Sequence, residues 1–221
     1  MAEFGGSNNF HSDVRVYNGG STSVTVTPTF YTLGDPSISR AGTPFTVAAG
    51  EVKVFDNVLP TLFGSGVTGG SIVFTTPEDS SLVVTGRTYT TKADGGTFGQ
   101  FIPGLTPTEG MAAGSTPIQL LQLEQSQNYR TNVGLVELAG QPAKVRMTFS
   151  LPDTKTSAIM DVDLAANHYT QLNRVIATIF GPGNYYNVRI GIEVLNGAGR
   201  VAGYGSVLDN ATLDPTYVPS Q

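Results

Sequence analysis

The sequence contains no cysteine and no tryptophan, and its 221 residues include only 2 histidines. Without thiols there is no disulfide framework, no thiol nucleophile and no cysteine-ligated zinc. Cysteine-free chains occur in more than one compartment, so this absence does not fix location. Charge is scarce too. Asp, Glu, Lys and Arg make up 13% of the chain, against a typical share of roughly 25%. The formal charges sum to −5, and Lys and Arg form no run. A chain of that sign repels phosphate on average, which argues against nucleic acid and anionic membranes as partners. No apolar stretch approaches the roughly 20 residues of a membrane span. No secretory signal is visible. Met1-Ala2-Glu3-Phe4 followed by Gly5-Gly6-Ser7 reads instead as an added leader, flexible over residues 1–8, in place of a removed native export signal.

What the chain has in quantity is glycine (27) and proline (13), among many threonines, valines and serines. β-Branched side chains suit a pleated surface, and Gly and Pro serve its corners. Val14 and Val16, then Val24 and Val26, alternate with polar neighbours, the period of a half-buried strand. Val188, Ile190 and Ile192 do the same. Asn18-Gly19-Gly20-Ser21 and Pro77-Glu78-Asp79-Ser80 read as hairpin turns. Gly64-Ser65-Gly66 and Gly95-Gly96 are too short for phosphate cradles and read as turns.

The chain also repeats itself, at an offset of 119 that drifts only by loop-sized steps. His11 to Tyr17 lines up with Arg130 to Val136, and Val24 to Phe30 with Ala143 to Phe149. Val47 to Gly50 matches Leu164 to Asn167, and Val58 to Gly64 matches Val175 to Gly181. Thr97 to Pro103 matches Leu213 to Pro219. The expected fold is therefore all-β, with two tandem immunoglobulin-like antiparallel β-sandwich domains related by internal duplication. They span 9–105 and 117–221, with 106–116 as a linker. Each carries at most one short helical turn, at Val58–Phe63 and Val175–Phe180, ended by Gly64 and Gly181. One asymmetry stands out. Ile118, Leu120 and Leu121 open the second repeat with a strand, whereas only the leader precedes Phe10. The first repeat thus lacks its leading strand or borrows one, which would leave an open sheet edge.

Three segments resemble a family of uncharacterised, exported, repetitive bacterial proteins. They are RTNVGLVELAGQPAKVRMTF (130–149), VTGRTYTTKADGGTFGQFIPGL (84–105) and GYGSVLDNATLDPTYVPSQ (203–221). The family consensus runs like WRTDLWLTNPG…ATVTLTY and closes like YASVVDNRTGDPTYVPA. The resemblance covers nearly the whole chain and implies tandem immunoglobulin-like sandwiches at the cell surface or outside the cell. It implies no chemistry. His11-Ser12-Asp13 departs from the consensus Trp-Arg-Thr-Asp, with Phe10 and Tyr129 left to take the aromatic role.

A catalytic triad needs a base oriented by an acid and touching a nucleophile. Only His11 and His168 could be that base, and they align with Arg130 and Glu51, so neither is kept in the other repeat. Gly203-Tyr204-Gly205-Ser206-Val207 lacks the spacing of a nucleophile elbow. The reading is therefore no catalytic residue, no metal centre and no cofactor. Asp209, Asn210 and Asp214 are hard oxygen ligands of the calcium type, but Asp and Asn equally serve turns. Tyr89, Tyr185, Tyr186 and Arg87 are candidate sugar contacts, since aromatic faces beside polar groups stack on sugar rings; buried sandwich tyrosines are the competing reading. The function expected is a structural or adhesive module, extracellular or at the cell surface, self-associating by strand addition. The alternative is a carbohydrate-binding module for a surface polysaccharide.

Overall fold

The computed structural model describes residues 10–76, 81–93 and 95–221. Residues 1–8, read as a leader, and the turn at 77–80 lie outside them. The chain divides into two compact units, Met1–Leu105 and Thr106–Gln221. Both are antiparallel two-sheet sandwiches.

The first unit runs β1 (Phe10–Asn18), β2 (Val24–Thr32), β3 (Asp35–Ala41), β4 (Phe45–Val47), β5 (Val52–Phe55), α1 (Val58–Phe63), β6 (Gly70–Thr75), β7 (Leu82–Thr91) and β8 (Thr97–Pro103). One sheet has the order β5-β1-β7-β8; in the other, β2 pairs β3 and β4 along one side and β6 along the other. The alternating valines behave as their period requires. Val14, Val16, Val24 and Val26 point inward onto Phe30, Val47 and Phe55. β1 and β2 lie in different sheets, so Asn18-Gly19-Gly20-Ser21 is a crossover and not a hairpin. The Asn18 side chain decides this: it donates to the carbonyls of Thr22 (2.8 Å) and Val47 (3.1 Å) and accepts from the Gly20 N–H (2.9 Å). The helix lies between β5 of one sheet and β6 of the other, and buries Val58, Leu59, Leu62 and Phe63.

The second unit runs β9 (Ile118–Gln125), β10 (Tyr129–Glu137), β11 (Ala143–Leu151), β12 (Thr156–Leu164), β13 (Tyr169–Leu172), α2 (Val175–Phe180), β14 (Tyr185–Gly197), β15 (Val201–Asp209) and β16 (Pro215–Pro219). Its sheets are β13-β10-β15-β16 and β12-β11-β14-β9. Phe149, Leu120, Leu123, Leu135, Met147, Ile190 and Ile192 form the centre of its core.

The pairing registers of the two units coincide. Val14 stands opposite Phe55 and Gly86; Val133 stands opposite Leu172 and Gly205. One difference has a local cause. The continuous strand β12 corresponds to the broken pair β3 and β4. The break falls at Gly42–Pro44, opposite Pro28, which has no N–H to give that side of the ladder. Pro28 stands where the second unit has Met147, which pairs Met160.

Residues 106–116, expected as a linker, are structured. Pro107–Glu109 form a 3₁₀ turn. Met111 exchanges both backbone hydrogen bonds with Val201 (2.9 and 2.8 Å) and joins the second core. Its apolar side chain beside β15 holds the segment; the flanking glycines and prolines concealed this in the sequence. Among the described residues no helix is long and apolar enough to cross a membrane.

Candidate functional site

Arg87 and Tyr89 come together on β7. The guanidinium lies 4.7 Å from the centre of the Tyr89 ring, a cation–π contact, and donates to Thr97 Oγ1 at 2.8 Å. The Tyr89 hydroxyl bonds Asp13, and burial followed by the Asp13 charge raises its pKa. One ring face is therefore already covered by Arg87 and unavailable for stacking. The His11 ring packs 6.1 Å from Tyr89. His168 serves a turn through its backbone, donating to Ala165 and accepting from Glu137 N–H.

Tyr185 and Tyr186 point to opposite sides of β14, as neighbours on a strand must. Tyr185 packs against the core, its ring 5.6 Å from Phe180 and its hydroxyl donating to the Phe180 carbonyl at 2.9 Å. It fits the buried-tyrosine reading. Tyr186 is 49% exposed.

Asp209, Asn210 and Asp214 share one turn but do not converge. Asp209 Oδ1 accepts from the N–H groups of Ala211 (2.7 Å) and Thr212 (2.9 Å), closing the turn. Asn210 Oδ1 is taken by a cation, Arg130 Nη1, at 2.7 Å. The Asp214 carbonyl accepts from Asp209 N–H. Among the described residues no cluster of three or more His, Asp or Glu side chains could hold a metal.

Asn210 instead belongs to a cavity of about 450 Å³ lined by Arg130, Asn132, Asn173, Arg174, Asn210 and Leu213. Arg130 and Asn132 share a face of β10 by their spacing of two. Asn173 and Arg174 form the turn into α2, and Asn132 Oδ1 accepts the Arg174 N–H at 3.0 Å. Asn210 follows β15, its amide donating to the Gln127 carbonyl at 3.0 Å. Burial, then the charge of Arg174, holds the Arg130 pKa below its ordinary value. Sequence reasoning singled out Asn210 but passed over both arginines, because 130 and 174 are far apart in the chain and share no motif.

A second feature is the outer edge of β6. Gly42 N–H donates to the Pro28 carbonyl, so Pro28 faces β3 and β4, and its odd-numbered neighbours face β6. By the same alternation the backbone groups of Ile72 and Phe74 face away from β2. In the second unit the equivalent residues, Ile190 and Ile192, pair with Leu120 and Ile118 of β9. There Leu120 and Leu123 are both fully buried. Among the described residues no strand pairs with that side of β6, and Ile72 and Phe74 are only partly buried.

No family model matches the chain, and no curated protein matches it.

Proposed function

We propose that the chain is a non-catalytic structural or adhesive module of an exported bacterial surface protein, built by duplicating one sandwich. It associates with a second copy through β6. The observation that carries this is the edge at Ile72 and Phe74, which the second unit closes with a strand of its own. Unpaired edge groups template strand addition, and two copies meeting at β6 antiparallel would form a closed, isologous pair. The surface location draws on the family resemblance.

Light scattering on the full chain tests the association. A dimer is expected, with the Ile72 and Phe74 amides slow to exchange. Ile72→Pro removes an outward donor while keeping an apolar side chain, and should give a folded monomer by circular dichroism. A native monomer, with those amides fast or slow, overturns self-association.

The alternative, a carbohydrate-binding module, is favoured by the exposed ring of Tyr186. It lies at the end of the unit where β9 turns into β10, since Gln125, the last residue of β9, pairs Tyr185. Loss of polysaccharide pull-down on Tyr186→Ala would support that reading.

A further inference from the structure

The cavity between β10, α2 and the turn after β15 holds two arginines without an acid. Arg130 spends one nitrogen on Asn210. The Arg174 side chain makes no hydrogen bond or ion pair among the described residues, and neither arginine takes part in a salt bridge there. Two like charges facing one cavity repel each other and lack the counter-charge that normally accompanies such groups. An anion between them supplies it. The planar guanidinium fork suits a carboxylate, to which it can donate two parallel hydrogen bonds.

The backbone adds an independent observation. Arg174 has φ 50° and Leu213 has φ 66°, both left-handed and both lining the cavity. Gly and Asn tolerate that region; Arg and Leu do so at a cost. The first unit shows the relaxed solution, since Asn57 occupies the position of Arg174 with φ 53°. Its neighbours there are Asp13 and Asp56, in place of Asn132 and Asn173. The same turn, with the same N–H held by the same side-chain oxygen (Asn57 N–H to Asp13, 2.9 Å), carries no arginine. The fold does not need Arg174. A strained residue retained on a cavity wall points to a ligand.

The rest of the lining narrows its class. Asn132 and Asn173 use their side-chain oxygens on Arg174 N–H and Gln171, which leaves their NH₂ groups to donate to sugar hydroxyls, while Asn210 is spent on Arg130 and the Gln127 carbonyl. Leu213 provides an apolar wall. The volume suits a small organic ligand. We propose that this cavity binds a carboxylate-bearing sugar, the uronic acid unit of an acidic polysaccharide, with the carboxylate between Arg130 and Arg174. The site lies wholly within the second unit, so it holds or fails independently of association at β6.

Titration calorimetry on the full chain, with galacturonate, galactose and sulfate as probes, tests this. Galactose keeps the ring and hydroxyls but has no carboxylate; sulfate has the charge but no ring. Galacturonate should bind at least about tenfold more tightly than either, since one well-made charged contact is worth that factor or more. Arg130→Gln and Arg174→Asn should each weaken it at least about tenfold. Arg189→Gln should leave it unchanged, because Arg189 reaches only Ser150 (3.4 Å), away from the cavity. Arg174→Asn should also melt about 3 °C higher, through relief of the strained turn; a structural arginine would lower the melting temperature on removal. Equal affinity for galactose, sulfate binding as tight as galacturonate, no binding, or a less stable Arg174→Asn would each overturn the proposal.

Discussion

The two units are the same sandwich solved twice with different side chains at matching backbone positions. In the turn before each helix, Asn57 and Arg174 hold one left-handed conformation, and Asp13 and Asn132 accept the N–H of Asn57 and of Arg174 respectively. At the end of the first paired strand, Asn18 and Glu137 do one task by opposite means. Asn18 mostly donates, to two carbonyls. Glu137, 2% exposed, only accepts, taking the N–H groups of Ala139 (2.7 Å), Gln141 (3.2 Å), Asn167 (2.9 Å) and Arg200 (3.1 Å). Register and turn geometry are common to both units, while the hydrogen-bonding groups that secure them are exchangeable in sets. What one unit shows and the other does not among the described residues is then informative: the covering strand β9, and the arginines at 130 and 174.

The largest break in that comparison should come from Leu123→Ala. Leu123 is fully buried, and it reaches the core only because β9 bulges at Gln122 (φ 59°), which turns Leu120 and Leu123 to the same side. Truncation should cost about 2–5 kcal/mol. Hydrogen exchange should rise across β14 and leave β1 and β2 unchanged. Equal loosening of both units would mean that β9 is not local to its own core. Next comes Glu137→Gln, which turns an amide NH₂ toward backbone N–H groups that need acceptors. It should cost about 2–3 kcal/mol, read from denaturant melts of the second unit. The converse change, Asn18→Asp, sets a carboxylate against two carbonyls and should destabilise the first unit comparably.

Alkaline pH should separate the units by a smaller margin. Burial, followed by the neighbouring Tyr204, pushes Tyr217 up to about 12. The two rings stack with centres 5.3 Å apart. Burial also raises Tyr169, against the pull of its 2.8 Å hydrogen bond to Tyr204. A raised folded-state pKa favours the neutral phenol. This stability is therefore complete below the unfolded value of about 10 and is lost as pH rises toward about 12. Allowing for partial solvent screening, it is worth less than about 2 kcal/mol. Absorbance at 295 nm should show a late-titrating tyrosine that Tyr217→Phe removes. Full ionisation by pH 10 in the folded protein would refute the assignment.

Much of this fold could be read from side-chain period and internal offset. The alternating valines, the Gly-ended helical turns and the strand that opens the second unit all follow from local sequence. The Asn-Gly crossover was misread as a hairpin because turn chemistry does not say which sheet the chain enters next; the buried Asn18 amide does. Met111 was hidden for a similar reason, its burial depending on Val201 some ninety residues away. The cavity was the least legible feature. Its six residues come from three separate segments, and an unpaired arginine looks like any other until the acids around it are found elsewhere. Tyr185 and Tyr186 show the same limit, since one bulge at Asn187 (φ 52°) decides which ring is buried.

The smallest effect expected concerns Arg146 and Asp161, joined across β11 and β12 by two hydrogen bonds of 2.7 and 2.9 Å. The first unit has no counterpart, because Thr27 stands where Arg146 does. The Arg146 hydrogen bond holds the Asp161 pKa below its ordinary value, burial opposing slightly. A depressed carboxyl contributes stability above its unfolded pKa, about 3.9, and loses it as pH falls through the lower folded value. Both side chains are about one third exposed, and exposed pairs gain little against solvent and side-chain entropy. Asp161→Asn should therefore lower the melting temperature only marginally at pH 7, and by progressively less as pH falls below the unfolded value through the lowered folded one. The difference should shrink further in 1 M salt, where the screening length falls to about 3 Å. A large, salt-independent loss at neutral pH would instead mean that this pair fixes the register of β12, the edge strand that the first unit manages to form in two pieces without it.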